Sequence, residues 1–131
     1  MSTFKATVIE IQSEDILHIV SFKVGKSTLK MMSLELQSNL KVGSSVLLSV
    51  KATAVALAKE LSGMLSYSNQ ILLEIQKIEQ GKLLSSIKLK NQDISMESVI
   101  TTASCERMQL KETQSVIALI KSSDLSICEV L

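Results

Sequence analysis

The chain has 131 residues, 46% of them hydrophobic, and a formal net charge of only +1. Three aromatic residues and no strongly basic half provide neither the charge nor the stacking surface of a nucleic-acid-binding protein. No apolar run reaches the roughly 18 residues of a membrane span, and no signal peptide is visible. Cys105 and Cys128 are too few for a disulfide scaffold or a zinc site. We therefore expect a folded cytoplasmic protein that is not inserted in a membrane.

Short β-strands separated by turns are predicted along the first half of the chain. β-branched and apolar residues dominate these segments, and apolar positions alternate in the fourth of them. Gly43 and the polar residues before it mark a turn. In chain order, we predict strands at residues 7–12, 16–24, 29–36, 46–51 and 54–58.

The second half repeats this order after a link at residues 59–65 and adds one short helix. The helix is predicted within residues 102–110, where good helix formers follow Thr101 or Thr102, either of which can serve as the N-cap. The strands are predicted at residues 71–78, 83–89, 94–101, 115–120 and 125–128.

Similar residue strings show that the chain is an internal duplication. The offset between matching strings is 64 for residues 8–12, 65 for 22–24 and 70 for 45–53. A repeat of this length predicts two similar modules, residues 1–63 and residues 64–131. Five short strands per module indicate two small, closed or nearly closed β-barrels in tandem. Modules of about 65 residues are only marginally stable alone, so we expect them to pack together or to oligomerise.

Each module contains residues that suit a tetrahedral oxyanion. The fourth strand ends in a lysine followed by small residues, and hydroxyl-bearing residues precede the first strand. A cation, hydroxyl donors and accessible amide hydrogens can together hold such an anion. A lysine at a strand end is also a common solvated edge residue, so the pattern alone leaves both interpretations open. These segments are Ser2-Thr3 with Lys51-Ala52-Thr53, and Ser66-Tyr67-Ser68-Asn69 with Lys121-Ser122-Ser123.

Catalytic groupings are not recognisable in the sequence. His18 is the only histidine, which leaves no partner for a metal site or a triad. Glu14 and Asp15 are adjacent and would face opposite ways on an extended chain. We therefore do not expect an enzyme.

The second module resembles the Mop domain of molybdate-binding proteins, the molbindin group within the TOBE class. The resemblance lies in three segments: Ser66-Tyr67-Ser68-Asn69-Gln70, Ile100-Thr101-Thr102-Ala103-Ser104, and the closing Lys121-Ser122-Ser123. The first module resembles a shortened version, through Gly43-Ser44-Ser45-Val46 and Lys51-Ala52-Thr53. The whole chain is thus similar to a tandem Mop protein.

This resemblance implies an all-β fold of two OB-like five-stranded barrels, the second with one short helix. It implies no catalysis, no organic cofactor and no metal bound directly by protein ligands, but reversible binding of molybdate or tungstate for storage, buffering or sensing. The bound anion would lie between modules or subunits of a homo-oligomer, with a trimer favoured over a dimer. The implied oxyanion-binding residues are Ser2, Thr3, Lys51 and Ala52 in the first module and Ser66, Tyr67, Ser68, Asn69, Lys121 and Ser122 in the second.

Departures from the family pattern motivate an alternative. Ser68 stands where the family often has arginine, Phe4 is expected at the corresponding place in the first module, and Lys5 is expected to replace Asn69. Loss of a cationic donor would favour a ligand-free interaction or regulatory module of a molybdate transport system.

Overall fold

The computed structural model of the protein describes all residues 1–131 and contains two five-stranded sheets. All strand pairs are antiparallel. One short helix, α1 (Thr102–Arg107), lies in the second half. The prediction of an all-β chain with two five-stranded units and one short helix is confirmed. The strands are β1 (Ser2–Glu14), β2 (Leu17–Val24), β3 (Ser27–Ser33), β4 (Ser45–Val50), β5 (Ala56–Ala58), β6 (Asn69–Gln80), β7 (Leu84–Lys90), β8 (Ser95–Thr101), β9 (Ser115–Ile120) and β10 (Ser126–Val130).

The two halves of the chain exchange their last strands. The strand order is β10-β4-β1-β2-β3 in the first sheet and β5-β9-β6-β7-β8 in the second. Strand β5 of the first repeat pairs with β9, and β10 of the second repeat pairs with β4. The sequence repeats at 1–63 and 64–131 therefore do not coincide with the sheets, because each repeat supplies one strand to the other sheet.

A single 3₁₀ turn makes each crossover. The first 3₁₀ turn (Ala52–Ala54) follows β4, and the second (Ser122–Asp124) follows β9. The expected strand at residues 54–58 is shorter in the structure because Ala54 belongs to this turn. The short strand that follows each turn then runs along the opposite sheet.

The register of the strands shows which residues of the two repeats are equivalent, and it corrects the alignment that the sequence suggested. Val8 pairs with Phe22 in the first sheet, and Ile75 pairs with Leu89 in the second, so the equivalent residues are 67 apart rather than 64 or 65. A bulge follows each of these positions, between Val8 and Glu10 and between Ile75 and Lys77. The expected offset of 70 in the closing strands is correct, since Ser45 and Ser115 occupy matching places.

This register contradicts two of the expected substitutions. Phe4 is buried at the place of Ile71 and does not replace Ser68, and Lys5 corresponds to exposed Leu72 rather than to Asn69. The residue at the place of Asn69 is Ser2, since Ser2 pairs with Val50 as Asn69 pairs with Ile120.

Inward-facing apolar residues form one core that includes both sheets. Burial alternates along β1 and β6, as a sheet with one buried face requires. The core cluster has 25 buried residues, among which Phe22, Leu48, Ile75 and Ile120 are fully buried or nearly so. Because this cluster is continuous, the exchanged sheets share one interior.

Capping explains the limits of α1. The side chain of Thr101 accepts a hydrogen bond from the Ser104 amide at 3.1 Å, as expected of an N-cap. The helix ends sooner than expected, because Gln109 adopts a positive φ of 52°. Beyond it, the ammonium of Lys59 donates to the carbonyl oxygens of Met108 and Gln109 at 3.0 and 3.1 Å. The helical segments lack the length and the apolar composition of a membrane-spanning helix.

Candidate functional site

Antiparallel pairing places the opening and closing segments of each repeat side by side. Ser2 pairs with Val50, directly before Lys51, and Asn69 pairs with Ile120, directly before Lys121. Each lysine therefore emerges at the edge where the first strand of its sheet begins.

The two lysines have the same backbone setting. Each precedes a 3₁₀ turn in an extended conformation, with φ and ψ of −74° and 138° at Lys51 and −66° and 147° at Lys121. Each accepts the bond that closes its turn, from the amides of Ala54 and Asp124 at 2.9 Å. Both side chains are exposed, and neither takes part in an ion pair. Their ammonium groups are therefore available to a ligand.

A cavity of about 330 Å³ lies beside Lys121, and we call it the Lys121 pocket. Tyr67 and Asp124 line it together with Lys121, so a tyrosine, a lysine and an aspartate border one space. The remaining lining residues come from the first crossover and from β8: Thr53, Ala54, Val55, Ala56, Val99 and Ile100. Residues of both repeats thus form this pocket.

The counterpart of this pocket beside β3 has a different character. It is a cleft of about 660 Å³ between the end of β3 and the second crossover. Its lining includes Met31, Leu34 and Leu36, and its one charged residue is Glu35. Without a cationic lining residue, this cleft does not match the Lys121 pocket in chemistry. Lys51 lines neither of these spaces.

Two of the expected oxyanion-binding residues form hydrogen bonds between the halves of the molecule. The buried Asn69 carboxamide accepts from the Lys30 amide at 2.7 Å and donates to the Lys30 carbonyl oxygen at 2.9 Å. The hydroxyl of Ser2 accepts from the Glu97 amide at 2.9 Å. Lys30 and Glu97 are themselves equivalent positions of β3 and β8, so the two contacts obey the internal symmetry.

The other expected residues lie near the strand edges. Thr3 is exposed on β1 opposite Ser49, and Ser66 and Ser68 are exposed just before β6. Ala52 and Ser122 are half-buried in the 3₁₀ turns. Of the ten expected residues, Tyr67 and Lys121 line one pocket together.

Sequence reasoning missed Asp124 and Thr53 as lining residues of the Lys121 pocket. The repeat offset of 70 could have drawn attention to Asp124, because it aligns this acidic residue with Ala54 of the first repeat. Thr53 could not be assigned to a pocket of the other repeat, because that placement depends on the exchanged crossover.

Charged groups elsewhere are separate from this site. A hydrogen bond from Lys77, together with the positive charges of Lys77 and Lys88, lowers the pKa of Glu79 on β6. No group of three or more histidine, cysteine, aspartate or glutamate side chains is placed to hold a metal ion. Cys105 is buried, Cys128 is exposed, and both are free thiols.

Two antiparallel sheets that exchange their last strands, with a lysine at each crossover, define a duplicated protein of small β-domains. Residues 65–127 match the TOBE domain family. The match to this family lies in the second half of the chain.

A solved structure resembles the chain over almost its whole length. It is the cytoplasmic molybdate-binding protein ModG, in a crystal form with molybdate bound. The two chains are 26% identical, with a TM-score of 0.90 over 98% of this chain and 95% of ModG. No curated protein matches the sequence. The resemblance to tandem Mop and TOBE proteins is thus confirmed.

Proposed function

We propose that this protein binds molybdate reversibly, as a non-catalytic cytoplasmic protein that stores, buffers or senses the anion. The likeness to ModG with molybdate bound, over 98% of the chain, is the observation that carries the proposal. The TOBE match and the free lysine at each crossover support it. Tungstate belongs to the same chemical class, since it too is a tetrahedral dianion, and is included in the proposal. No organic cofactor is required.

The chemistry of the proposed site rests on donors that replace the hydration of a dianion. Lysine ammonium groups supply charge, and hydroxyl and amide hydrogens supply directed hydrogen bonds. We assign one cradle to each repeat, residues 1–63 and residues 64–131. The first comprises Ser2, Thr3, Lys51 and Ala52, and the second comprises Ser66, Tyr67, Ser68, Asn69, Lys121 and Ser122.

Two of these residues are assigned a reduced role. The Asn69 carboxamide is engaged with Lys30, so Asn69 would contribute through its backbone amide, and Ser2 already accepts one hydrogen bond from Glu97. The remaining residues are largely exposed in one chain, which suits a site that is completed by another subunit. We therefore propose a homo-oligomer, a trimer in preference to a dimer, of chains whose two sheets close into OB-like barrels.

Titration calorimetry with molybdate tests the proposal through Lys51→Ala and Lys121→Ala. Loss of a charge-assisted hydrogen bond of about 1.5–3 kcal/mol would weaken the affected site about 10- to 100-fold. Lys82→Ala is the matched control, because Lys82 is exposed in the turn between β6 and β7 and forms no ion pair. Unchanged molybdate affinity in both crossover variants would refute the site assignment. Native mass spectrometry would give the number of subunits and of bound anions together.

A ligand-free interaction or regulatory module of a molybdate transport system is the second candidate. Asp124 in the wall of the Lys121 pocket favours it, since a carboxylate repels a dianion, and Ser68 provides no cation. A thermal-shift series with molybdate, tungstate and sulfate separates the candidates, because a ligand specific for the folded state raises the melting temperature. No shift with any of the three anions would favour the interaction module.

A further inference from the structure

The Lys121 pocket contains a negative charge that its symmetry-related position lacks. Asp124 ends the second 3₁₀ turn, and its equivalent, Ala54, ends the first. Both residues line this same pocket, so the two turns contribute an acid and a methyl group to one wall. The contacts of Asn69 with Lys30 and of Ser2 with Glu97, by contrast, follow the internal symmetry.

Asp124 is free to act on a ligand. It is exposed and forms no ion pair with Lys121, three residues earlier, or with any other residue. The formal charges of Lys121 and Asp124 cancel within the pocket, so an entering dianion meets one attractive and one repulsive group. The carboxylate of Asp124 therefore offsets the electrostatic attraction that the ammonium group of Lys121 exerts on the anion.

We propose that Asp124 lowers the affinity of the Lys121 pocket for dianionic tetrahedral oxyanions. This inference rests on the proposed function. With its net charge near zero, the pocket binds molybdate weakly and with little dependence on salt. As the molybdate concentration falls, the Lys121 pocket releases its anion first. A site that lacks such a carboxylate is still occupied at that concentration.

Calorimetry on a Lys51→Ala background isolates the Lys121 pocket for the test. Molybdate affinity is compared between Lys51→Ala and the double variants that add Asp124→Asn or Asp124→Ala, at low and at physiological ionic strength. Asp124→Asn keeps the shape of the side chain and removes its charge, and Asp124→Ala copies the residue of the first repeat. Glu129→Gln on the same background is the control, because exposed Glu129 lies on β10 outside the pocket.

Removing the carboxylate is expected to tighten molybdate binding about fivefold, as one charge acting on a dianion across a solvated pocket predicts. The affinity should also fall more steeply with added salt, because the pocket then carries a net positive charge. A packing effect would not change the salt dependence. Glu129→Gln should change the affinity less than about twofold, since Glu129 is exposed, does not line the pocket and has its charge screened by solvent and salt.

The results separate this inference from the proposed function. If the unsubstituted protein binds molybdate but Asp124→Asn leaves the affinity and its salt dependence unchanged, the inference is wrong and the function stands. An equal gain in Glu129→Gln would also overturn it, since the effect would then be general. If neither the unsubstituted protein nor any variant binds, both proposals fail. Binding that appears only after Asp124 is neutralised would support the inference.

Discussion

Asn69 is expected to stabilise the contact between the two halves of the protein more than it assists a ligand. Its carboxamide forms hydrogen bonds of 2.7 and 2.9 Å with the amide and carbonyl of Lys30, on a strand of the other sheet. Asn69 is fully buried, so Asn69→Ala removes both bonds and leaves two backbone groups without their partner. At about 1 kcal/mol for each bond plus a desolvation penalty, the loss of unfolding free energy should be about 2–3 kcal/mol.

Thermal or urea unfolding measures this loss directly, and the melting temperature should fall by about 5–10 °C for a domain of this size. Asn69→Ser should be intermediate, because the equivalent residue, Ser2, keeps one bond to the Glu97 amide through its hydroxyl. Gln70→Ala is the control, since exposed Gln70 bonds only to the Tyr67 carbonyl oxygen and should cost less than about 0.5 kcal/mol.

This reasoning requires that Asn69→Ala lowers the stability of the protein more than it affects molybdate binding. If Asn69→Ala unfolds at the same temperature as the unsubstituted protein but loses molybdate affinity, the carboxamide acts on the ligand and the structural role is refuted.

Two further predictions follow from the exchange and from the helix cap. Residues 1–63 and 64–131, produced separately, should yield no folded monomer, because each half lacks a strand that the other supplies. An equimolar mixture of the two should recover the native circular dichroism spectrum. A stable monomer of 64–131 would contradict this prediction. Lys59→Met should lower the unfolding free energy by about 1–2 kcal/mol and speed amide exchange in α1, since its ammonium caps two carbonyl oxygens. Lys111→Met is the control, because Lys111 is exposed and lies outside α1. Equal effects of the two substitutions on stability would show that the loss of a positive charge matters, and not the loss of the cap.

Local pattern was enough to predict most strands and the helix. Alternating apolar residues and turn residues specify strands through short-range geometry, and Thr101 was predicted correctly as a possible N-cap. The strand expected at 29–36 ends at Ser33, because Ser33 pairs with His18 at the start of β2 and the neighbouring strand ends there. Ends of elements depend on such tertiary contacts, which a local pattern does not contain.

The residue equivalence failed for a reason that lies in strand geometry. Matching Val8 to Leu72 pairs a buried residue with an exposed one, since Val8 is 1% exposed and Leu72 is 65% exposed. An error of three residues turns every side chain of a strand to the opposite face. Local sequence similarity therefore gave the wrong alignment of the two repeats. The pattern of buried faces and the shared bulge identify Ile75 as the equivalent of Val8.

The exchange could not be predicted from the sequence, because β5 has only three residues, Ala56–Ala58, and nothing in them specifies a partner. Which sheet receives such a strand is decided by the path of the crossover and by the core beneath it. The same limit applies to the site, since the pocket beside Lys121 includes first-repeat residues that reach it only through the crossover.

The position of the two lysines links binding to the exchange. Lys51 and Lys121 each stand where the chain leaves one sheet to join the other. A ligand held by Lys121 in its pocket would touch Tyr67 and Asp124 of the second repeat and Thr53 of the first. Because separating the halves would dismantle that pocket, an anion bound there must stabilise the exchanged form over any form in which the strands have parted. Molybdate should therefore raise the unfolding temperature of the intact protein and slow amide exchange in β5 and β10 together; protection confined to one of these strands would mean that the ligand does not span the crossover.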